Sequence, residues 1–205
     1  MKQAYGHEMV RLKILRALIA LVAGALMFSG AGAHADDPVG LAQRLQSGGH
    51  ILMLRHALAP GTGDPSHFRI DDCRTQRNLN AQGRAQARHI GEWLRTHGVA
   101  EARVFSSQWC RCLETAALID LGPVTPLPAL NSFFERPRER ESRLDALQRF
   151  ITRQPPKGKL IVLVTHYVTI AGITGEAVSS GEGVVLAIDP TPASRVIGRI
   201  DFGLD

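Results

Sequence analysis

Four residues of this sequence have the types that phosphoryl transfer requires, and each follows closely on an apolar segment. They are Arg55, His56, Arg111 and His166. A guanidinium group can hold two phosphate oxygens at once, and an imidazole nitrogen can attack phosphorus. The Arg-His dipeptide has no weight by itself, because it recurs at 88–89 inside a predicted helix. The set as a whole indicates a site that binds and transfers a phosphate group.

These residues can meet only if the segments before them are neighbouring strands. Three apolar segments are typical of buried strands: HILML at 50–54, RVFS at 103–106 and LIVLVT at 160–165. Strands alternating with helices predict an α/β layered fold with a largely parallel centre. In such folds ligands bind at the carboxyl ends of the central strands, where the four residues are expected.

The remaining elements follow from apolar spacing and capping residues. Helices are predicted at 38–47, from an Asn80 cap to about Thr96, at 109–119, and from Ser142 onward. The inward positions of the second helix are Gly83, Ala87, Ile90 and Leu94. A short edge strand is predicted between Pro123 and Pro128, and a closing hairpin from 184–188 and 195–202 around the turn at 189–192.

The first 35 residues have the order of a secretory signal peptide. A basic stretch ending at Arg16 precedes the apolar run Ala17–Phe28, and Ala33-His34-Ala35 supplies a cleavage site before Asp36. The alternative, an uncleaved membrane anchor, is disfavoured because a bilayer span needs about 20 apolar residues. We therefore predict a mature domain at 36–205, located in the periplasm or secreted, with no stable membrane insertion after cleavage.

The basic character of the chain does not indicate a nucleic-acid partner. The sequence has 24 Lys and Arg against 19 Asp and Glu, but four of the basic residues and one acidic residue lie in 1–35. The remainder carries 20 basic and 18 acidic residues. A domain so nearly balanced has no general attraction for polyanions.

Three cysteines follow the apolar run, at Cys73, Cys110 and Cys112. In an oxidising compartment three thiols predict one disulfide and one free cysteine. Cys110 and Cys112 lie in one predicted helix and point in different directions, so a bridge from Cys73 to either of them is expected. A metal site at this pair is disfavoured, since no second pair stands at zinc spacing and Arg111 lies between them.

The sequence resembles the histidine phosphatase superfamily, branch 1, also called phosphoglycerate mutase-like. The matching segments are LRHA (54–57), NLNAQGRAQA (78–87), SSQWCRCLETA (106–116) and VTHY (164–167). The resemblance implies a three-layer α/β/α sandwich with a central, mostly parallel sheet. It also implies a phosphohistidine intermediate, with neither metal nor other cofactor, and more narrowly a likeness to exported members of the family.

The resemblance assigns a role to each matching residue. His56 would be the phosphorylated nucleophile, Arg55 and Arg111 would hold the phosphate oxygens, and His166 would donate a further hydrogen bond. The general acid would be Glu135 in SFFER (132–136), with Glu139, Glu141 and Asp72 as the competing carboxylates.

The loop before the first long helix and its cysteine are expected to lie over the phosphate site. Among its arginines, Arg77 is a candidate phosphate ligand, whereas Arg69 and Arg74 are interpreted as solvated. A bridge from Cys73, with Cys110 favoured as its partner, would hold this loop beside Arg111.

Two residues depart from the family pattern, which usually has glycine at both positions. Ala57 follows the nucleophile, and Tyr167 follows the last histidine. Alanine is strained there only if the backbone needs a positive φ. The tyrosine could narrow the pocket or stack on a substrate ring.

Two functions from different classes follow. The first is an exported phosphatase that hydrolyses small phosphomonoesters through phospho-His56. The second is a non-catalytic phosphate-binding or sensing domain on the same fold, supported only by Ala57 and Tyr167. A serine hydrolase using Ser106 or Ser107 is disfavoured, since no G-x-S-x-G segment surrounds either residue.

Overall fold

A six-stranded mixed sheet forms the centre of the fold. The computed structural model describes residues 38–188 and 195–203. The strands are β1 (His50–Arg55), β2 (Arg103–Ser106), β3 (Val124–Pro126), β4 (Ile161–Thr165), β5 (Gly183–Ala187) and β6 (Arg195–Ile200). Their order is β3-β2-β4-β1-β5-β6. The first four strands in that order run parallel, β5 runs antiparallel to β1, and β6 runs antiparallel to β5. The mostly parallel α/β sheet is therefore confirmed, with β3 as the predicted edge strand.

Five α-helices pack on this sheet. They are α1 (Pro38–Ser47), α2 (Ala81–Thr96), α3 (Cys110–Ile119), α4 (Arg140–Thr152) and α5 (Tyr167–Thr174). Asn80 caps α2 as predicted, because its side chain accepts the Gly83 N–H at 2.7 Å. The four predicted inward positions of α2 are all buried.

Alternate residues of the central strands supply two separate cores, one on each face of the sheet. Leu52 and Leu54 of β1 pack with residues of α1, α2 and α3. Ile51 and Met53 of the same strand pack with residues of α4 and α5. Because successive strand residues point to opposite faces, one apolar strand serves both cores. The result is the expected α/β/α sandwich.

Two helices differ from the sequence prediction. Helix α4 begins at Arg140, two residues before the predicted start, and Ser142 does not cap it but donates its hydroxyl to the Glu139 carbonyl. Helix α5 was not predicted. Its sequence YVTIAGIT is apolar on every side, so it lacks the polar face from which an amphipathic helix is recognised.

Two predicted features lie outside the described residues: the signal peptide at 1–35 and the turn of the closing hairpin at 189–192. The strands on either side of that turn pair antiparallel, as expected for a hairpin. Within 38–188 and 195–203, no helix is both long and apolar enough to cross a membrane.

Candidate active site

The carboxyl ends of three adjacent parallel strands bring the four predicted residues to one cavity. Strand β4 lies between β2 and β1, so His166, Ser107 and His56 follow neighbouring strands. The backbone ladder continues past the strand ends, where His56 N–H donates to Thr165 O at 2.9 Å. The cavity has a volume of about 330 Å³, and Arg55, His56, Arg111 and His166 all line it. The sequence prediction that these side chains meet at one edge is therefore confirmed.

The ring of His56 is held in one tautomer. Its Nδ1 lies 2.8 Å from the carbonyl oxygen of Ala57. A carbonyl oxygen can only accept, so Nδ1 carries the proton and the neutral ring has its lone pair on Nε2. Burial, and then the positive charge of Arg111, lower the pKa of His56 to about 3. The imidazole is therefore uncharged, and its orientation is fixed by this hydrogen bond.

The turn after His56 is fixed by α3. Ala57 N–H donates to Thr115 Oγ1 at 3.0 Å, and the Thr115 hydroxyl donates to the Arg111 carbonyl at 2.7 Å. The backbone of Ala57 does not have a positive φ. Alanine replaces the usual glycine here without strain.

His166 lies beside His56 and is held by Ser107. The two rings are 5.5 Å apart between centroids, at 70° to one another. Ser107 Oγ lies 2.8 Å from Nε2 of His166, and Ser107 Oγ also lies 3.2 Å from Asn131 Oδ1. Burial, and then the neighbouring His56, lower the pKa of His166 well below its usual value. Both imidazoles are thus neutral in the folded protein.

Arg111 is paired with a carboxylate that the sequence analysis did not single out. Its Nη1 and Nη2 donate to the two oxygens of Asp64 at 2.8 and 3.2 Å, and the two side chains are only 4% and 6% exposed. Asp64 also accepts Trp109 Nε1–H at 2.9 Å and the Arg77 backbone N–H at 3.0 Å. Burial by itself raises the pKa of Asp64, but these donors outweigh it and lower the pKa below the ordinary value. Asp64 therefore stays ionised and holds Arg111 in place.

Two guanidinium N–H groups of the site are buried without an acceptor. Among the described residues, the side-chain nitrogens and oxygens with this property are Arg55 Nε, Arg111 Nε and Thr169 Oγ1. A buried donor without a partner is costly, and native proteins retain one mainly where a ligand, water or ion satisfies it. Both arginine nitrogens belong to residues that line the cavity.

The third candidate arginine, Arg77, supports the loop as well as lining the cavity. Its Nε donates to Gly63 O at 2.8 Å, and its Nη1 donates to Ala59 O. Burial, and then Arg111, lower the pKa of Arg77. Arg69 and Arg74 instead pair with Asp71 and Asp72 on the surface, as the solvated interpretation expected.

Glu135 is placed at the cavity by the same loop. Its Oε1 accepts the Asp64 backbone N–H at 3.0 Å, and its side chain lines the cavity. Glu139 pairs with Arg143 at 2.7 Å, and neither it nor Glu141 nor Asp72 lines the cavity. Of the four carboxylates considered in the sequence analysis, Glu135 is the one that shares the cavity with the two histidines.

A disulfide joins the loop to α3. Cys73 bonds to Cys110, with a Cα–Cα distance of 5.7 Å, so the favoured pairing is confirmed. Cys112 is free and buried, and burial raises the pKa of its thiol to about 12. Its Sγ lies 3.5 Å from Nε2 of His166, where it packs as an uncharged thiol.

Sequence reasoning missed Asp64 and the support that Asn131 gives to Ser107. Asp64 lies in the segment GTGD, where two glycines with positive φ flank Thr62. A carboxylate after such glycines in a long polar loop is the signal that could have indicated it. Asn131 has no comparable signal, because only the fold brings it beside β2. Within the described part of the chain, no group of three or more His, Cys, Asp or Glu residues is placed to hold a metal ion.

A family model matches the part of the chain that contains much of this site. Residues 51–133 match the model of the histidine phosphatase superfamily (branch 1). The matched segment contains Arg55, His56 and Arg111, three of the four residues on which the resemblance was based. The family resemblance of the sequence motifs is thus confirmed over this segment. No match was found among curated proteins.

Solved structures share the fold at low sequence identity. The protein histidine phosphatase SixA in complex with tungstate is 16% identical, with a TM-score of 0.53 over 75% of this chain and 97% of that one. The phosphoglycerate mutase from Thermus thermophilus is 19% identical, with a TM-score of 0.51 over 76% and 99%. The protein of open reading frame Rv3214 from Mycobacterium tuberculosis is 15% identical, with a TM-score of 0.55 over 73% and 95%. These likenesses support the phosphoglycerate mutase-like fold.

Proposed function

We propose that this protein is an exported phosphatase that hydrolyses small phosphomonoesters through a phosphohistidine intermediate on His56, without a metal ion or other cofactor. The observation that carries the proposal is the tautomer of His56. Its proton is committed to the Ala57 carbonyl, so Nε2 keeps a lone pair within a cavity lined by guanidinium groups.

In the first step, Nε2 of His56 attacks phosphorus, and the bond from phosphorus to the ester oxygen breaks. Glu135 gives its proton to the departing oxygen, so the alcohol leaves neutral. The buried Nε–H groups of Arg55 and Arg111 hold the phosphate oxygens while charge develops on them. Because the Ser107 hydroxyl donates to Asn131 Oδ1, Nε2–H of His166 donates to Ser107, and Nδ1 donates to the phosphoryl group when the charge of a bound phosphate protonates the ring.

In the second step, Glu135, now a carboxylate, takes a proton from a water molecule. The oxygen of that water attacks the phosphoryl group, and the bond from phosphorus to Nε2 breaks. Phosphate leaves, His56 returns to its neutral form and Glu135 is again protonated.

The test is hydrolysis of p-nitrophenyl phosphate by the full chain and by His56→Ala, with no metal added. We expect turnover in the wild type and none in the variant, and we expect an alkaline quench to show the phosphoryl group on His56. Circular dichroism checks that the variant is folded. Undiminished turnover by folded His56→Ala would reject the proposal.

The non-catalytic alternative makes an opposite prediction. A binding domain would leave the substrate intact while phosphate or vanadate still raised its unfolding temperature. Ala57 gives no support to that alternative, since its backbone is unstrained.

Export is tested separately. A periplasmic or secreted fraction should contain a protein whose N-terminus, read by mass spectrometry, is Asp36. Recovery of the intact N-terminus from the cytosolic fraction alone would reject it.

A further inference from the structure

Aromatic side chains are concentrated at the cavity that holds the two histidines. Four of its 17 lining residues are Phe68, Trp109, Phe134 and Tyr167, although aromatic residues make up only 5% of the sequence. Trp109 and Phe68 stack on each other, with ring centroids 5.1 Å apart. We call these four side chains the aromatic wall of the cavity, and the arginines and histidines that line it the phosphate-binding floor.

Two of these aromatic side chains face solvent, which is unusual for their type. The described residues include three exposed large apolar side chains: Ile70 at 39%, Phe134 at 55% and Tyr167 at 44%. Phe134 and Tyr167 both line the cavity, whereas Ile70 does not. Exposed apolar surface rimmed by charged groups is typical of a site that a ligand covers.

The aromatic wall is tied directly to the phosphate-binding floor. Tyr167 follows His166 in the chain, and the Arg55 guanidinium carbon lies 5.9 Å from the centre of the Tyr167 ring. An arginine that binds a phosphate oxygen therefore also touches the wall. A group attached to a phosphate that Arg55 binds would therefore begin close to the Tyr167 ring.

We propose that the leaving group of the natural substrate carries a planar aromatic ring close to the phosphate, and that Phe134 and Tyr167 bind this ring. The inference rests on the proposed function for the phosphate half of the substrate. The aromatic half rests on the cavity wall alone. Aromatic pairs prefer offset or edge-to-face contact, which a planar aromatic ring can make with these two side chains.

The test measures binding with three phosphonates that cannot be hydrolysed: methylphosphonate, cyclohexylmethylphosphonate and benzylphosphonate. Isothermal titration calorimetry on the full chain should show benzylphosphonate as the tightest ligand. Tyr167→Ala and Phe134→Ala should each weaken benzylphosphonate by about two- to tenfold, the range expected for one aromatic contact. The same variants should change methylphosphonate affinity by less than about twofold, because that ligand has no ring to lose.

Matched controls separate the ring from other effects. Tyr167→Phe keeps the ring and should bind benzylphosphonate like the wild type, and Ile70→Ala removes an exposed apolar side chain outside the cavity and should have no effect. Equal affinity of the wild type for all three phosphonates would overturn the inference. So would an equal loss for all three ligands in the two alanine variants.

This experiment distinguishes failure of the inference from failure of the proposed function. Ring-dependent binding without hydrolysis of benzyl phosphate would reject the phosphatase proposal and keep the aromatic site. Equal kcat/KM for benzyl phosphate and ethyl phosphate, with no ring-dependent binding, would keep the phosphatase proposal and reject the aromatic site. Parallel assays with free phosphotyrosine and a phosphotyrosyl peptide then identify whether the ring belongs to a small molecule or to a polypeptide.

Discussion

Hydrogen bonding and burial together set the chemistry of His56. The Ala57 carbonyl fixes the proton on Nδ1, and burial with Arg111 lowers the pKa to about 3. A protonated ring would have no lone pair with which to attack phosphorus. Because its pKa is lowered, the ring keeps this lone pair under acidic conditions, as the proposed role of His56 requires.

At the same scale, Glu135→Gln should separate the two chemical steps. The p-nitrophenolate group leaves with little help from an acid, whereas hydrolysis of phosphohistidine still needs the base. We expect a burst of p-nitrophenol, accumulation of phospho-His56, and a steady-state kcat lower by about 10²- to 10⁴-fold. Stopped-flow absorbance measures the burst. Glu139→Gln is the control. The Glu139 carboxylate pairs with Arg143, so this variant should keep the wild-type rate.

Asp64→Asn tests the buried pair with Arg111. Removing one charge leaves the other buried and uncompensated, so the free energy of unfolding should fall by about 3 kcal/mol. Saturating phosphate should restore part of that loss, because it brings a new anion to Arg111. Urea denaturation with and without phosphate measures both effects. Asp71→Asn removes a pair on the surface and should leave the stability unchanged; an equal loss in the two variants would contradict the role of Asp64.

At the scale of elements, the loop between β1 and α2 connects several parts of the site. Asp64 holds Arg111 by its side chain and Glu135 by its backbone N–H. Arg77 closes the loop on itself, and the disulfide from Cys73 anchors it to α3 beside Arg111. The loop therefore positions the phosphate ligand and the proposed acid together.

Gly63→Ala should displace Glu135 and leave Arg111 in place. Gly63 has a φ of +68°, and a Cβ placed there would lie 2.5 Å from Glu135 Oε1. Displacing that carboxylate should lower kcat by about tenfold, less than the loss expected when an acid–base group is removed outright. Steady-state kinetics with an alkyl phosphate measures the effect, while phosphate affinity should be unchanged.

Gly175→Ala is the matched control. Its φ is +76°, but nothing lies within 4 Å of the added Cβ. Both variants should lose a similar amount of stability, about 1 kcal/mol, to backbone strain. Only Gly63→Ala should lose activity, and an equal loss in the two would show that strain, not the position of Glu135, is responsible.

For the whole molecule, the buried neutral histidines make stability depend on pH. Both His56 and His166 have pKa values lowered in the fold, so below a pH of about 6.5 the unfolded chain binds protons that the folded protein excludes. The free energy of unfolding should therefore fall as the pH falls from about 6.5 toward 3, by about 1.4 kcal/mol per pH unit for each excluded proton. Asp64, whose pKa is also lowered, adds to the loss near the acid end.

Urea denaturation at a series of pH values measures this slope. His56→Gln should reduce this slope by the contribution of one proton. Ile70→Ala, which changes an exposed side chain of the same loop and no titratable group, should leave the slope unchanged. Stability that rose on acidification would contradict the neutral state of the two imidazoles.

The strand patterns and the residues at the strand ends predicted much of the fold and of the candidate site. The apolar segments ending at Arg55, Ser106 and Thr165 predicted both the parallel sheet and the meeting of its catalytic candidates, because parallel strands align their carboxyl ends. The family resemblance added Glu135 as the candidate acid, and the cysteine count with the predicted helix at 109–119 indicated a bridge from Cys73, with Cys110 as the favoured partner. These features depend on local periodicity or on short segments that can be recognised in the sequence alone.

Only the tertiary structure decided what surrounds those residues. Asp64 reaches Arg111 across 47 positions, and Asn131 supports Ser107 across 24. The pKa of His56 depends on burial and on arginines from three separate segments. Helix α5 was missed because its uniformly apolar sequence is helical through packing rather than through a periodic pattern. Long-range contacts and burial are properties of the folded chain, so no local spacing could supply them.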